Sequence, residues 1–90
     1  MKYKFKDNIV FREESDTYAL LYNVDSADIQ ILDPIGTYIS RFLEEWVDVE
    51  EIVTKALLEF DGEELEVRRD IQEFVKRLQD DTLVEGCSGE

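Results

Sequence analysis

The sequence predicts an α+β domain in which a three-stranded antiparallel sheet is followed by three helices, in the order β-β-β-α-α-α. Two observations carry this. Ahead of the only proline, Pro34, short β-branched and aromatic runs alternate with polar clusters, and behind it apolar residues recur at helical spacing. Ninety residues hold one domain, and a hydrophobic content of 43% is enough for a packed core.

Ile9-Val10-Phe11 is the first strand, ended by Glu13-Glu14-Ser15-Asp16. Tyr18-Ala19-Leu20-Leu21-Tyr22 is the second, ended by Asn23-Val24-Asp25-Ser26, and Ile29-Gln30-Ile31-Leu32 is the third. The separating clusters are short enough for antiparallel hairpins. Asp33 then caps a helix with Pro34 at its first position. Its apolar stripe is Ile35, Tyr38, Ile39, Phe42, Leu43 and Trp46. A capping box of Asp48 and Glu51 opens the second helix, which carries Val49, Ile52, Val53, Ala56, Leu57 and Phe60. Gly62 is placed to end that helix in a left-handed turn. Val67, Ile71, Phe74, Val75 and Leu78 mark the third helix. Trp46 and Phe60 are expected to close the helix–helix contacts. Such short connections force adjacent helices to pack at an angle, so the compact solution is winged-helix-like. Residues 1–7 read as a basic N-terminal arm, 8–85 as the domain and 86–90 as a frayed tail.

The formal net charge is −13, with no histidine and one cysteine. The first twelve residues hold four of the ten basic residues, and six remain against 22 acidic ones in the rest of the chain. An acidic body repels phosphate backbones and anionic lipid. No apolar run approaches a membrane span and no secretory signal is present, so a cytoplasmic, non-membrane protein is expected.

Catalysis is not expected. Without histidine there is no ordinary zinc site and no Ser-His or Cys-His pair, and neither cofactor nor metal is implied. The adjacent carboxylates, such as Glu44/Glu45 and Glu50/Glu51, fall on loops and polar faces rather than in apolar pockets. The four glycines are scattered and form no phosphate cradle. Nucleic-acid binding is disfavoured because the third helix, the reader in a helix-turn-helix, is itself net acidic. Its Arg68, Arg69, Lys76 and Arg77 are outnumbered by carboxylates.

Peptide binding remains, and the third strand offers a mechanism. Ile29-Gln30-Ile31-Leu32 has neither proline nor charge to defend an edge, and Asp28 and Asp33 flank it as receivers for a cationic partner. An added strand would form main-chain hydrogen bonds there, unless the strand is interior and its apolar residues simply fill the core.

The order of Tyr18–Asn23, then Ile29–Asp33 with Gly36, Ile39 and Leu43, resembles the PqqD family of RiPP recognition elements. Val49–Val53 with Leu57, and Glu66–Ile71 with Phe74, Leu78 and Leu83, extend the likeness from about residue 8 to residue 85. The resemblance implies a non-catalytic protein that binds the leader of a ribosomally made precursor peptide. The leader would add as a strand to the third strand and lie against the third helix. The protein would then present it to a modifying enzyme, often a radical S-adenosylmethionine enzyme. Expected peptide-binding residues are Ile29, Gln30, Ile31 and Leu32 on the strand and Arg68, Ile71, Val75 and Arg77 on the helix. Apolar members at the border of the stripe would receive leader side chains, and the arginines would pair with leader carboxylates. The alternative is an acidic winged-helix regulator that contacts protein or DNA.

Overall fold

In the computed structural model, which describes residues 1–87, the chain runs through β1 (Lys2–Phe5), β2 (Ile9–Glu13), β3 (Ala19–Asn23), β4 (Ile29–Leu32) and α1 (Pro34–Phe42). It continues through β5 (Val47–Asp48), α2 (Val49–Glu59), α3 (Glu64–Asp80) and β6 (Val84–Cys87). The expected three-stranded antiparallel sheet is β2-β3-β4, and the three expected helices follow it. Alternation sets its faces. Ile9, Ala19, Leu21 and Leu32 are buried on the inner face, while Val10, Tyr22, Ile29 and Ile31 stay exposed on the outer one.

The buried stripes of the three helices share one core with that inner face. Ile39 and Leu43, then Ile52, Val53 and Ala56, then Ile71, Phe74, Val75 and Leu78 form one core with the sheet. The two aspartate caps are present. Asp33 Oδ1 accepts from the Gly36 amide at 2.7 Å, and Asp48 Oδ1 accepts from the Glu51 amide at 2.7 Å. Arg41 of α1 donates from Nη2 (2.7 Å) and Nε (3.0 Å) to Glu13 at the end of β2. That bond holds the Glu13 carboxyl below its ordinary pKa and raises that of Arg41.

Four expectations need correction. The N-terminal segment is not a free arm. Lys2–Phe5 pairs antiparallel with both Val47–Asp48 and Val84–Cys87, giving a second sheet in the order β5-β1-β6. Lys2-Tyr3-Lys4-Phe5 alternates charged with aromatic residues, and the pairing lets Phe5 join Val47 and Val84 in the core. The fraying expected of the tail therefore does not extend to Gly86 and Cys87, and Ser88–Glu90 lie outside the described residues.

Trp46 does not close the helix contacts. The helix ends at Phe42 with Leu43 as its C-cap, because Val47 must turn to pair with Tyr3, and Trp46 is left 42% exposed. Phe60 does meet α1, edge-on to Tyr38 with ring centroids 4.9 Å apart.

Gly62 is not left-handed. The second helix ends when Phe60 turns extended (φ −128°, ψ 147°) to reach Tyr38. Gly62 is needed for closeness instead, since a Cβ there would sit 3.1 Å from Val67 Cγ2. The left-handed helix end occurs after α3, at Thr82 (φ 61°). There the Leu83 amide donates to the Leu78 carbonyl (2.8 Å) and the Thr82 amide to the Gln79 carbonyl (3.0 Å), a Schellman closure that swings the chain into β6.

Because Phe5 is a core residue, Phe5→Ala is expected to cost about 3–5 kcal/mol in a denaturant melt. A free N-terminal arm would instead leave the midpoint where it was.

Candidate functional site: an open strand edge beside the third helix

β4 is the edge of its sheet, bonded to β3 on one side only. The Asn23 amide donates to the Asp28 carbonyl at 2.9 Å just before the ladder begins. Antiparallel pairs alternate, so the backbone groups of Gln30 and Leu32 turn inward to β3. Those of Ile29 and Ile31 face the open side. The opposite edge, β2, is defended by Arg12 and by Glu13, which Arg41 engages. β4 has no such defence.

The tight loop before β4 fixes where the edge starts. Asn23 Oδ1 accepts from the Asp25 (2.9 Å) and Ser26 (3.1 Å) amides, and Ala27 adopts φ 65°. At the other end the Asp33 cap and Pro34 turn the chain at once into α1.

The groove beside the edge consists of two openings at the ends of β4, the first walled by the turn that follows α3 and the second by α3 itself. Near the start of β4 an opening of about 400 Å³ places Asp28, Ile29 and Gln30 opposite Asp81 and Leu83. At its end a smaller one of about 170 Å³ places Asp33, Ile35 and Gly36 opposite Asp70, Glu73, Phe74 and Arg77. The helix comes so close there that a Cβ on Gly36 would lie 3.0 Å from Phe74 Cε1. Five carboxylates line these two openings, against the single cation Arg77, which sits 5.6 Å from the centre of the Phe74 ring.

The eight expected site residues separate into groups. Ile29 and Ile31 are 60% and 72% exposed and share the outer face with Tyr22 and Val10, so their side chains point away from α3. Gln30 is exposed on the groove side, and Leu32 is 4% exposed and anchors the strand in the core. Arg77 reaches the groove at the end of β4.

The other three do not offer themselves at the edge. Ile71 and Val75 are buried in the core, because a sheet and two helices meet that side of α3. Arg68 turns toward α2, where it bonds Glu50, and it also bonds Glu64, one turn back on α3, at 2.8 Å. Those two bonds raise its pKa, and they leave it engaged within the chain. Sequence reasoning missed Phe74, Asp81 and Leu83 as groove residues, since a helical stripe does not say which of its members sit at the border of the core. The glycine three residues after an aspartate cap was the available signal for Phe74.

These features define an α+β domain with one undefended strand edge above an acidic, helix-walled groove. The family model described as coenzyme PQQ synthesis protein D (PqqD) matches residues 18–84, and the chain belongs to that family. No curated protein matches it. Two solved structures are similar. TbiB1 in complex with the TbiA(beta) leader peptide is 29% identical, with a TM-score of 0.84 over 94% of this chain and 98% of that one. Lasso peptide synthetase B1 complexed with the leader peptide shares the fold at 16% identity, with a TM-score of 0.81 over 96% of this chain and all of that one.

The burial contrast within β4 has a direct consequence. Ile31→Ser should change stability by no more than about 0.5 kcal/mol, whereas Leu32→Ala should cost about 2–5 kcal/mol in chemical denaturation.

Proposed function

We propose that this protein binds the leader segment of a ribosomally made precursor peptide by adding it as a strand to β4. The observation that carries the reading is the β4 edge itself. It is held in the core by Leu32, bears no charge, and leaves the Ile29 and Ile31 backbone groups without a strand partner among the described residues. Membership of the PqqD family and the leader-bound state of the similar TbiB1 structure support it.

Main-chain hydrogen bonds would supply much of the affinity, and alternate leader side chains would enter the groove past Gln30 toward Phe74 and Leu83. Carboxylates outnumber cations in the groove, so a leader with basic residues fits it better than an acidic one. Arg77 is the one groove cation placed to take a leader carboxylate. The recognition element would carry no chemistry of its own and would present the leader to a modifying enzyme in the cytoplasm, a radical S-adenosylmethionine enzyme being the kind the family resemblance suggests. Among the described residues no helix is long and apolar enough to cross a membrane.

The test uses a leader taken from a short open reading frame found beside this chain's gene and first shown by calorimetry to bind the unaltered protein. Ile31→Pro deletes an outward amide while sparing the inward bonds of Gln30 and Leu32. Binding by calorimetry should weaken roughly tenfold or more, the equivalent of about 1.4 kcal/mol. Unchanged affinity in a folded Ile31→Pro variant would rule out strand addition.

A further inference from the structure

The groove does not stop where β4 ends. Ile35 and Asp70, which border the opening at the end of β4, also border a third cleft of about 250 Å³ between α1, α2 and α3. A peptide paired along β4 and leaving it at Leu32 would pass over Asp33 and Ile35 straight into this cleft.

Its lining is of two kinds. Tyr38 and Phe60 stand edge-on to each other at 4.9 Å and form an aromatic wall, with Val67 on the floor. Asp61, Glu66 and Asp70 supply every charged side chain at the mouth, and none has an ion-pair partner among the described residues. Burial first, and then the nearby Glu59 charge, raise the Tyr38 pKa, so its hydroxyl stays protonated and the ring adds no negative charge of its own. The volume is below the roughly 300–1,000 Å³ of small-molecule sites, which suits one long side chain rather than a cofactor. A cation that can lay its methylenes on an apolar floor, stack its head on an aromatic ring and meet carboxylates in a plane is the guanidinium of arginine.

We infer that the α1–α2–α3 cleft is a second subsite of the peptide groove, built to take a single arginine side chain of the bound peptide. This rests on the strand-addition reading for the identity of the peptide, but the cleft's own chemistry can be tested without it.

The probe is the tripeptide N-acetyl-Ala-Arg-Ala-amide, titrated into the labelled full chain and followed by backbone amide shifts. It is too short to pair usefully with β4. Shifts should concentrate at Ile35, Tyr38, Phe60–Gly62, Val67 and Asp70, and the isosteric, uncharged citrulline tripeptide should bind roughly tenfold more weakly or worse. Phe60→Ala and the double variant Glu66→Gln/Asp70→Asn alter exposed side chains, so the fold is retained, and each should weaken the arginine probe. Saturation with the leader should displace it. Absence of shifts at the cleft, equal binding of the citrulline probe, or an arginine probe that still binds when the leader is saturating would each overturn the inference. Failure of the leader to perturb residues 29–32 would instead count against strand addition, whatever the tripeptide does.

Discussion

Everything proposed for this protein depends on how β4 is held. One of its four side chains, Leu32, is buried, and one of its two edges is bonded, to β3. An undefended edge of this kind is a hazard in most proteins because it invites pairing with any extended chain. Here it is short and flanked by Asp28 and Asp33, with the acidic groove walls beside it, so charge screens out most partners without closing the edge. The net charge of −13 works in the same direction, keeping copies of the chain apart.

The third helix links stability to the site. Ile71, Val75 and Leu78 pin it to the core, while Asp70, Glu73, Phe74 and Arg77, on adjoining turns, form the groove wall. The Schellman closure at Thr82 then returns the chain along the start of β4 and into β6, where β1 secures it. Groove and second sheet therefore share one structural cause, the angle at which α3 is fixed. The Arg68 bond to Glu50 serves that same fixing from the α2 side, while its bond to Glu64 lies within α3. An arginine that the sequence offers to a ligand is thus occupied in the fold.

Much of the fold was legible because its signals are local. The three strands before Pro34 alternate, the three helical stripes repeat at helical spacing, and Asp33 and Asp48 cap as their positions demand. What escaped was non-local. Lys2–Phe5 has the alternation of a strand, yet its partners in β5 and β6 lie far along the chain, near residues 47 and 85, and no local pattern could join them. Leu43 belongs to a stripe whose spacing runs on to Trp46, but pairing of Val47 with Tyr3 ends the helix first. At the site, the undefended character of Ile29–Leu32 was visible in its composition. Which α3 residues border it was not, because a stripe wider than its core gives no sign of where the cover stops. Ile71 and Val75 lie under that cover, and Phe74 lies at its margin.

The central claim, that the outward backbone of β4 is an open peptide-pairing edge, is tested most directly by hydrogen exchange at single residues. In the isolated protein the Gln30 and Leu32 amides should be protected by their bonds to β3, while those of Ile29 and Ile31 exchange quickly. With the leader bound, Ile29 and Ile31 should become protected as well, at least tenfold on an order-of-magnitude scale. Protection of Ile29 and Ile31 before any peptide is added, or exchange at those two amides that stays fast under saturating leader, would contradict the account.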